Sequence, residues 1–256
     1  MVKKAFITGA SSGIGKALAF LLSEKKYDLI LTGRDQSQLS SISSYLNNHT
    51  SVTFFPADLA LKEDREKVIH NIEEAVPDLV INAAGFGLYG PATNNISEQL
   101  EMIDVNIIAL TELTLYTAKA LLSQKKKGII MNISSAAAFF PFPTFAIYAA
   151  TKSFVNTFSL SLNAELRSHG IHVLTSCPSQ VQTQFVKRAS KGMLPQNKSF
   201  TLTQETAAQY IYQQIKNKKP LCIFDWRFRW GIYLSRLIPK SLLMNLMSKQ
   251  INSRIK

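Results

Sequence analysis

The sequence predicts an α/β fold: a doubly wound parallel sheet in a single domain, followed by a basic, amphipathic helical extension. Three observations carry this. Short continuous apolar runs recur along the chain, separated by longer amphipathic stretches, the pattern of parallel strands covered on both faces by crossover helices. A glycine-rich turn follows the first run and opens a helix. The 256 residues are 46% hydrophobic and 18% charged, enough apolar side chain for a substantial core and too little charge for a disordered chain.

Taken in order, Ala5-Phe6-Ile7 reads as the first strand, and Ala17, Leu18, Phe20, Leu21 and Leu22 give the first helix its apolar face. Leu29–Thr32 is the second strand, followed by a helix over Gln38–Leu46. Val52–Phe55 is the third, followed by a polar helix carrying Val68, Ile69 and Ile72. Leu79-Val80-Ile81 and Gly128–Asn132 continue the sheet, with a long helix over 98–124 between them. A helix over 148–168 then leads to the strand Ile171–Leu174, and Leu221–Phe224 supplies the last strand. The stretch 184–203 is the longest without periodicity and is expected to be a lid-like loop. A domain over 1–225 and an extension over 226–256 describe the organisation. No uncharged apolar run reaches spanning length, and the N-terminus turns to glycine too soon for a signal peptide.

The glycine turn is Thr8-Gly9-Ala10-Ser11-Ser12-Gly13-Ile14-Gly15. Glycines there let the backbone approach a pyrophosphate whose charge meets free N–H groups at the helix N-terminus, as in Rossmann-like folds. As a string the motif is weak, since Gly-Ser turns also cap helices; its place after the first strand gives it weight. The second strand ends in Gly33-Arg34-Asp35. NAD sites usually place a carboxylate at this strand end for the ribose 2′-hydroxyl, and NADP sites an arginine for the 2′-phosphate. Arg34 favours NADP(H), because a guanidinium takes phosphate through paired hydrogen bonds. Asp35 is suited to capping the following helix. Asp58 and Leu59 after the third strand fit the adenine, and Asn82, Ala83 and Gly85 after the fourth fit the ribose; each segment would also serve as ordinary turn chemistry.

Tyr148 and Lys152, four residues apart at a helix start, share one face. An ammonium beside a phenol favours phenolate, lowering a pKa that is about 10 in free tyrosine and making an acid/base pair. Alone, the pair is equally an aromatic ring beside a lysine stem. With Thr8–Gly15, Asn82-Ala83-Ala84-Gly85, Val105-Asn106, Ile133-Ser134-Ser135 and Pro178–Thr183 in the same order and spacing, however, residues 1–185 resemble the short-chain dehydrogenase/reductase family. The resemblance implies an NADP-dependent oxidoreductase interconverting a carbonyl and an alcohol. It implies Tyr148 as general acid/base, Ser135 as the serine that stabilises the substrate oxygen, and Ser134 as structural. Lys152 would tune Tyr148 and hold the ribose, Asn106 would hold a relay water, and Pro178, Val181 and Thr183 would contact the nicotinamide. Ser179 stands where the family has glycine. A homodimer or homotetramer, paired through the helices near 98–124 and 148–168, is the family expectation. A non-catalytic NADP-binding regulator or scaffold is the competing reading; the intact Ser135, Tyr148 and Lys152 speak against it.

Phe86, Leu88, Tyr89, Phe139, Phe140, Phe142 and Phe145 lie in loops near these motifs and suggest an apolar substrate, or else core and oligomer packing. The net charge of +12 is uneven: residues 1–215 hold 19 basic and 16 acidic residues, the last 41 hold ten basic and only Asp225. A nucleic-acid groove would spread its basic residues through the body, so nucleic acid is not an expected partner. Beyond residue 225, Trp226, Phe228 and Trp230 alternate with Arg227 and Arg229. Ile232–Ile238, a break at Pro239, and Leu243, Met247, Ile251 and Ile255 at every fourth position follow. Such a tail suits a membrane surface, a cover over the pocket or an oligomer contact. Two cysteines, Cys177 and Cys222, build neither a disulfide framework nor a zinc cluster; they fit a reducing, cytoplasmic setting with peripheral membrane contact left open, and no metal site is expected.

Overall fold

The computed structural model describes residues 2–192, 201–235 and 239. Its strands and helices alternate as β1 (Lys4–Thr8), α1 (Gly13–Glu24), β2 (Asp28–Gly33), α2 (Gln36–Leu46), β3 (Val52–Pro56), α3 (Lys62–Ala75) and β4 (Leu79–Asn82). The chain continues through α4 (Ile96–Ile103), a π-helical segment (Asp104–Ala109), α5 (Leu110–Ser123), β5 (Gly128–Ile133), α6 (Ala146–Leu166) and β6 (Ile171–Cys177). It ends with β7 (Val181–Gln182), α7 (Phe185–Ala189), β8 (Leu202–Thr203), α8 (Gln204–Lys216), β9 (Leu221–Ile223) and α9 (Trp226–Ser235). Seven parallel strands form one sheet in the order β3-β2-β1-β4-β5-β6-β9, with β7 and β8 paired apart from it. The strand order reverses between β1 and β4, and a crevice outside the carboxyl ends of these strands is where doubly wound sheets bind ligands.

The strands read as apolar runs because both faces are covered: Ala5, Phe6 and Ile7 are fully buried, with Ile7 packed among α1 and α8 side chains on one face and Phe6 against α3 and α5 on the other. Every apolar run read as a strand is one, with bounds shifted by at most three residues, the largest shift being the extension of Ile171–Leu174 to Cys177. Two elements differ from expectation. The long helix over 98–124 is not uniform: its α-helical pitch is interrupted by the π segment around Asn106, a feature that often marks functional sites. The loop over 184–203 contains α7 and is bracketed by the β7–β8 pair; positions 193–200, Pro195 among them, lie outside the described residues. The helical run Ile96–Ser123 contains an 18-residue window apolar enough to cross a membrane by length and composition, but the run carries charged residues and 56% of that window is buried within the protein.

A buried polar network ties the sheet to its helices beneath the carboxyl ends. Asn82 Nδ2 donates to Asn132 Oδ1 (2.8 Å) and lies 3.2 Å from Thr114 Oγ1, which itself donates to Asn132 Oδ1. Asn132 Nδ2 donates to Ser159 Oγ (2.9 Å), so β4, β5, α5 and α6 share one set of hydrogen bonds. Removing one member strands its partners in an apolar surrounding. Asn132→Ala is therefore expected to lower unfolding free energy by about 2–4 kcal/mol, read by urea denaturation, against about 1 kcal/mol for an average substitution.

Candidate active site

Everything chemical in the sequence converges on one cleft of about 1660 Å³ at the carboxyl ends of the strands. Gly9, Ser11, Ser12, Gly13, Ile14 and Gly15 line it from the β1–α1 turn. Gly9 has φ +66°, and a Cβ there would sit 2.8 Å from Ala84 N, so the turn can lie against the end of β4 only as glycine. Thr8 fastens the same junction: its hydroxyl accepts from Ala83 N and Ala84 N, each at 3.1 Å. At the mouth of α1, Ser12 makes no side-chain cap and the first turn has no acidic residue. The helix N-terminus is thus left with its partial positive charge and free N–H groups facing the cleft, a cradle suited to pyrophosphate.

At the far end, Arg34, Asp58 and Leu59 line the cleft, with Arg34 Nη1 4.0 Å from Asp58 Oδ2. Asp35 caps α2, accepting from Gln38 N (3.0 Å) and Ser37 Oγ (2.7 Å). Its carboxyl is held below the usual range by the Ser37 and Gln38 hydrogen bonds first, and also by the Arg188 guanidinium. Arg188, on α7, lines the same cleft and is a second cation near Arg34 that motif spacing does not reveal.

Ala83 and Gly85 reach the cleft, but Asn82 does not. Its side chain turns inward into the buried network, while its backbone, the part expected to run close to the ribose, ends β4. Gly85 must lack a side chain because a Cβ would meet Asn106 Oδ1 at 2.9 Å and Lys152 Nζ at 3.3 Å. Asn106 is fully buried behind the cleft. Its Oδ1 accepts from Phe86 N (3.1 Å), and its Nδ2 donates to Phe86 O (2.9 Å) and Thr151 Oγ1 (3.2 Å).

Ser135, Tyr148 and Lys152 come together on the cleft wall. The neighbouring serine is structural, as expected: Ser134 is buried and its hydroxyl donates to Lys152 O (3.0 Å). Lys152 Nζ donates to Ile133 O (2.9 Å) and lies 5.8 Å from the Tyr148 ring centre. Here the structure departs from the acid/base tuning expected of the bare pair. Burial pushes the Tyr148 phenol up, with a Ser135 hydrogen bond pulling down, and burial pushes Lys152 down to about 8. The ammonium donates to a carbonyl, and desolvation by burial is the largest cause of both shifts.

One part of the cleft wall is aromatic. Tyr89 stacks on Phe145 (4.0 Å), Phe145 on Tyr148 (4.3 Å), and Phe185 of α7 approaches Tyr148 at 5.4 Å. Of the other expected pocket residues, Phe86, Phe140 and Phe142 line the cleft; Leu88 does not, and Phe139 packs with Cys177, Ile223 and Ile232. Pro178, Val181 and Thr183 line the cleft, as does Ser179, whose buried hydroxyl has no hydrogen-bond partner among the described residues. The tail joins the site as well: Arg227, Phe228, Gly231, Leu234 and Ser235 of α9 line the cleft, and Asp225 Oδ1 caps this helix at Arg227 N. Among the described residues, that favours the pocket-cover reading of this part of the tail; residues 236–256 other than Pro239 lie outside them.

A lysine with a folded pKa near 8 and an unfolded one near 10.5 binds fewer protons folded than unfolded between those values, so its burial opposes folding at neutral pH and does so less as pH rises through that window. Lys152→Met is accordingly expected to unfold about 1–3 kcal/mol later than the parent at pH 7, the gain narrowing from pH 8 towards pH 10 in urea titrations. A gain that does not change with pH would contradict the assignment.

Comparison with known proteins agrees with this architecture. The short chain dehydrogenase family model matches residues 3–194. An uncharacterized oxidoreductase of Staphylococcus aureus is 37% identical over 187 residues, 71% of this chain and 79% of that protein. Another, from Staphylococcus epidermidis, is 34% identical over 193 residues, 74% and 83% of the two chains. Among solved structures, a short-chain dehydrogenase from Sphingobium yanoikuyae in complex with NADPH superposes with TM-score 0.82 at 28% identity, covering 96% of each chain. A bulky-bulky ketone specific alcohol dehydrogenase from Comamonas testosteroni gives TM-score 0.79 at 26% identity, covering 96% of this chain and 94% of that one. The chain belongs to the short-chain dehydrogenase/reductase family of oxidoreductases.

Proposed function

We propose that this protein is an NADP(H)-dependent reductase of apolar ketones or aldehydes, interconverting carbonyl and alcohol. The observation that carries the reading is the meeting of Ser135, Tyr148 and Lys152 with the glycine turn in one cleft whose remaining wall is aromatic. The uncapped N-terminus of α1 and the glycine positions that admit no Cβ fit a dinucleotide. Arg34, backed by Arg188 and with Asp35 committed to capping α2, supports a 2′-phosphate over a 2′-hydroxyl. The Sphingobium relative's NADPH and the Comamonas relative's bulky ketone specificity point the same way.

Bound NADP(H) supplies the hydride that adds to the carbonyl carbon, or takes it back. Tyr148, kept protonated by burial, gives its proton to the carbonyl oxygen as charge develops there. The Ser135 hydroxyl, on the same wall, steadies that oxygen. Lys152 holds the nicotinamide ribose, and its proton exchange passes by Asn106, where the π segment and the Phe86 and Thr151 hydrogen bonds fix the neighbouring backbone. Thr183 takes the carboxamide. Cys177 and Cys222 remain thiols, so the protein works in the cytoplasm. A homodimer forms through α5 and α6, where Leu115, Leu122, Phe154 and Leu160 stay exposed around a shallow groove.

Following NADPH absorbance over a panel of bulky apolar ketones tests the reading. Tyr148→Phe is expected to lower kcat by about 10³-fold or more with NADPH affinity retained. Arg34→Leu should cut kcat/KM for NADPH by about 10–100-fold and leave NADH nearly unchanged. A wild-type protein that binds NADPH yet turns over nothing in the panel would favour the regulator reading. In sedimentation, the Leu115→Glu, Phe154→Glu double variant is expected to run as a monomer where the parent runs as a dimer.

A further inference from the structure

Helix α9 has two working faces. Ile232 is buried against Cys177 and Ile223, and Phe228 and Gly231 line the cleft from the same side. The opposite side carries Trp226, Trp230, Tyr233 and Leu234, respectively 66%, 62%, 55% and 57% exposed. Spaced i, i+4, i+7 and i+8, they form one stripe, with Trp230 and Tyr233 in edge contact. Arg227 and Arg229 lie on either flank, both exposed, Arg227 paired with Asp225 and Arg229 Nη2 donating to Ile223 O (3.0 Å). Leu234 belongs to the stripe and to the cleft lining, so the stripe reaches the mouth of the cleft.

We propose that α9 is an interfacial helix that lays this aromatic stripe on an anionic lipid surface. The cleft mouth then faces the bilayer. Tryptophan and tyrosine between flanking cations are the side chains that settle at the headgroup level, where an aromatic ring is half wet. Charge selects the occupant. The only acidic residue of the last 41, Asp225, is paired with Arg227 (2.6 Å), while Lys219 of the α8–β9 turn and Arg229 both act on the Cys222 thiol, so cations of two segments gather at one place. The chain beyond α9 adds Arg236, Lys240, Lys249, Arg254 and Lys256 with no acidic residue. A second copy seated on this face in a two-fold contact would set cations against cations, whereas the α5–α6 surface, with Leu115, Leu122, Phe154 and Leu160 exposed, is open to it. That the lipid delivers the substrate rests on the reductase reading; the lipid contact itself does not.

Co-sedimentation of the full chain with vesicles of phosphatidylcholine, or of phosphatidylcholine with phosphatidylglycerol, tests this directly. The parent is expected to pellet with the anionic vesicles, less at high salt and little with phosphatidylcholine alone. The Trp226→Ser, Trp230→Ser, Tyr233→Ser triple variant, whose residues lie outside the cleft lining, should lose about tenfold or more in apparent affinity at an unchanged melting temperature. Failure of the parent to pellet with anionic vesicles, equal pelleting by the triple variant, or loss of a dimer in the variant with vesicle binding intact would each overturn the proposal. Because the readout is binding without substrate, its failure leaves the reductase reading standing, and inactivity towards ketones leaves the lipid contact standing.

Discussion

A single buried ammonium organises the active end of this molecule. Lys152 sits 4% exposed at the top of the sheet, and its environment fixes what surrounds it. A charge so placed needs hydrogen-bond acceptors in a surrounding of low dielectric. Ile133 O supplies one, which sets where β5 stops. Gly85 must remain without a side chain to leave room, and Ser134 holds the α6 backbone at Lys152 itself. Asn106 fills the space on the other side and sits in the π segment that breaks the pitch of a 28-residue helical run. The network of Asn82, Thr114, Asn132 and Ser159 lies below and keeps β4, β5, α5 and α6 in register.

That arrangement trades stability for chemistry. Burial raises the phenol of Tyr148 and lowers the lysine, which in the proposed reaction keeps on the tyrosine the proton that the substrate oxygen takes. Stacking of Tyr89, Phe145 and Tyr148 keeps water from the same ring and gives the cleft the apolar wall on which the proposed substrate class rests. At the opposite end the cleft is charged, with Arg34 and Arg188 over the start of α2. One cavity thus runs from a cationic end to an aromatic one, and α9 closes the aromatic end.

The sheet is legible in the sequence because buried parallel strands cannot hide: each is a short apolar run, and each glycine or asparagine at a strand end marks a turn. The glycine turn, Ser135, Tyr148 and Lys152 are legible for the same reason, since their chemistry needs those residue types at fixed spacing. For Asn82, spacing places the backbone beside the glycine turn but does not tell which way the side chain turns, and the structure sends it inward to Thr114 and Asn132. Arg188 is invisible because it reaches the site through tertiary placement of α7, and the direction of the Tyr148 shift depends on burial that no local string encodes. The aromatic and basic alternation at 226–230 suggests period two, yet the Asp225 cap starts a helix there, and only the helix shows that its aromatic residues divide between cleft and solvent.

The proposed reaction is hydride transfer to a carbonyl with proton delivery from Tyr148. The most direct measurement reduces a bulky apolar ketone with NADPH deuterated at the transferring position of the nicotinamide and reads the alcohol by mass spectrometry. One deuterium on the carbinol carbon, with the hydroxyl proton drawn from solvent, is the predicted result. An alcohol formed without the label would contradict the account.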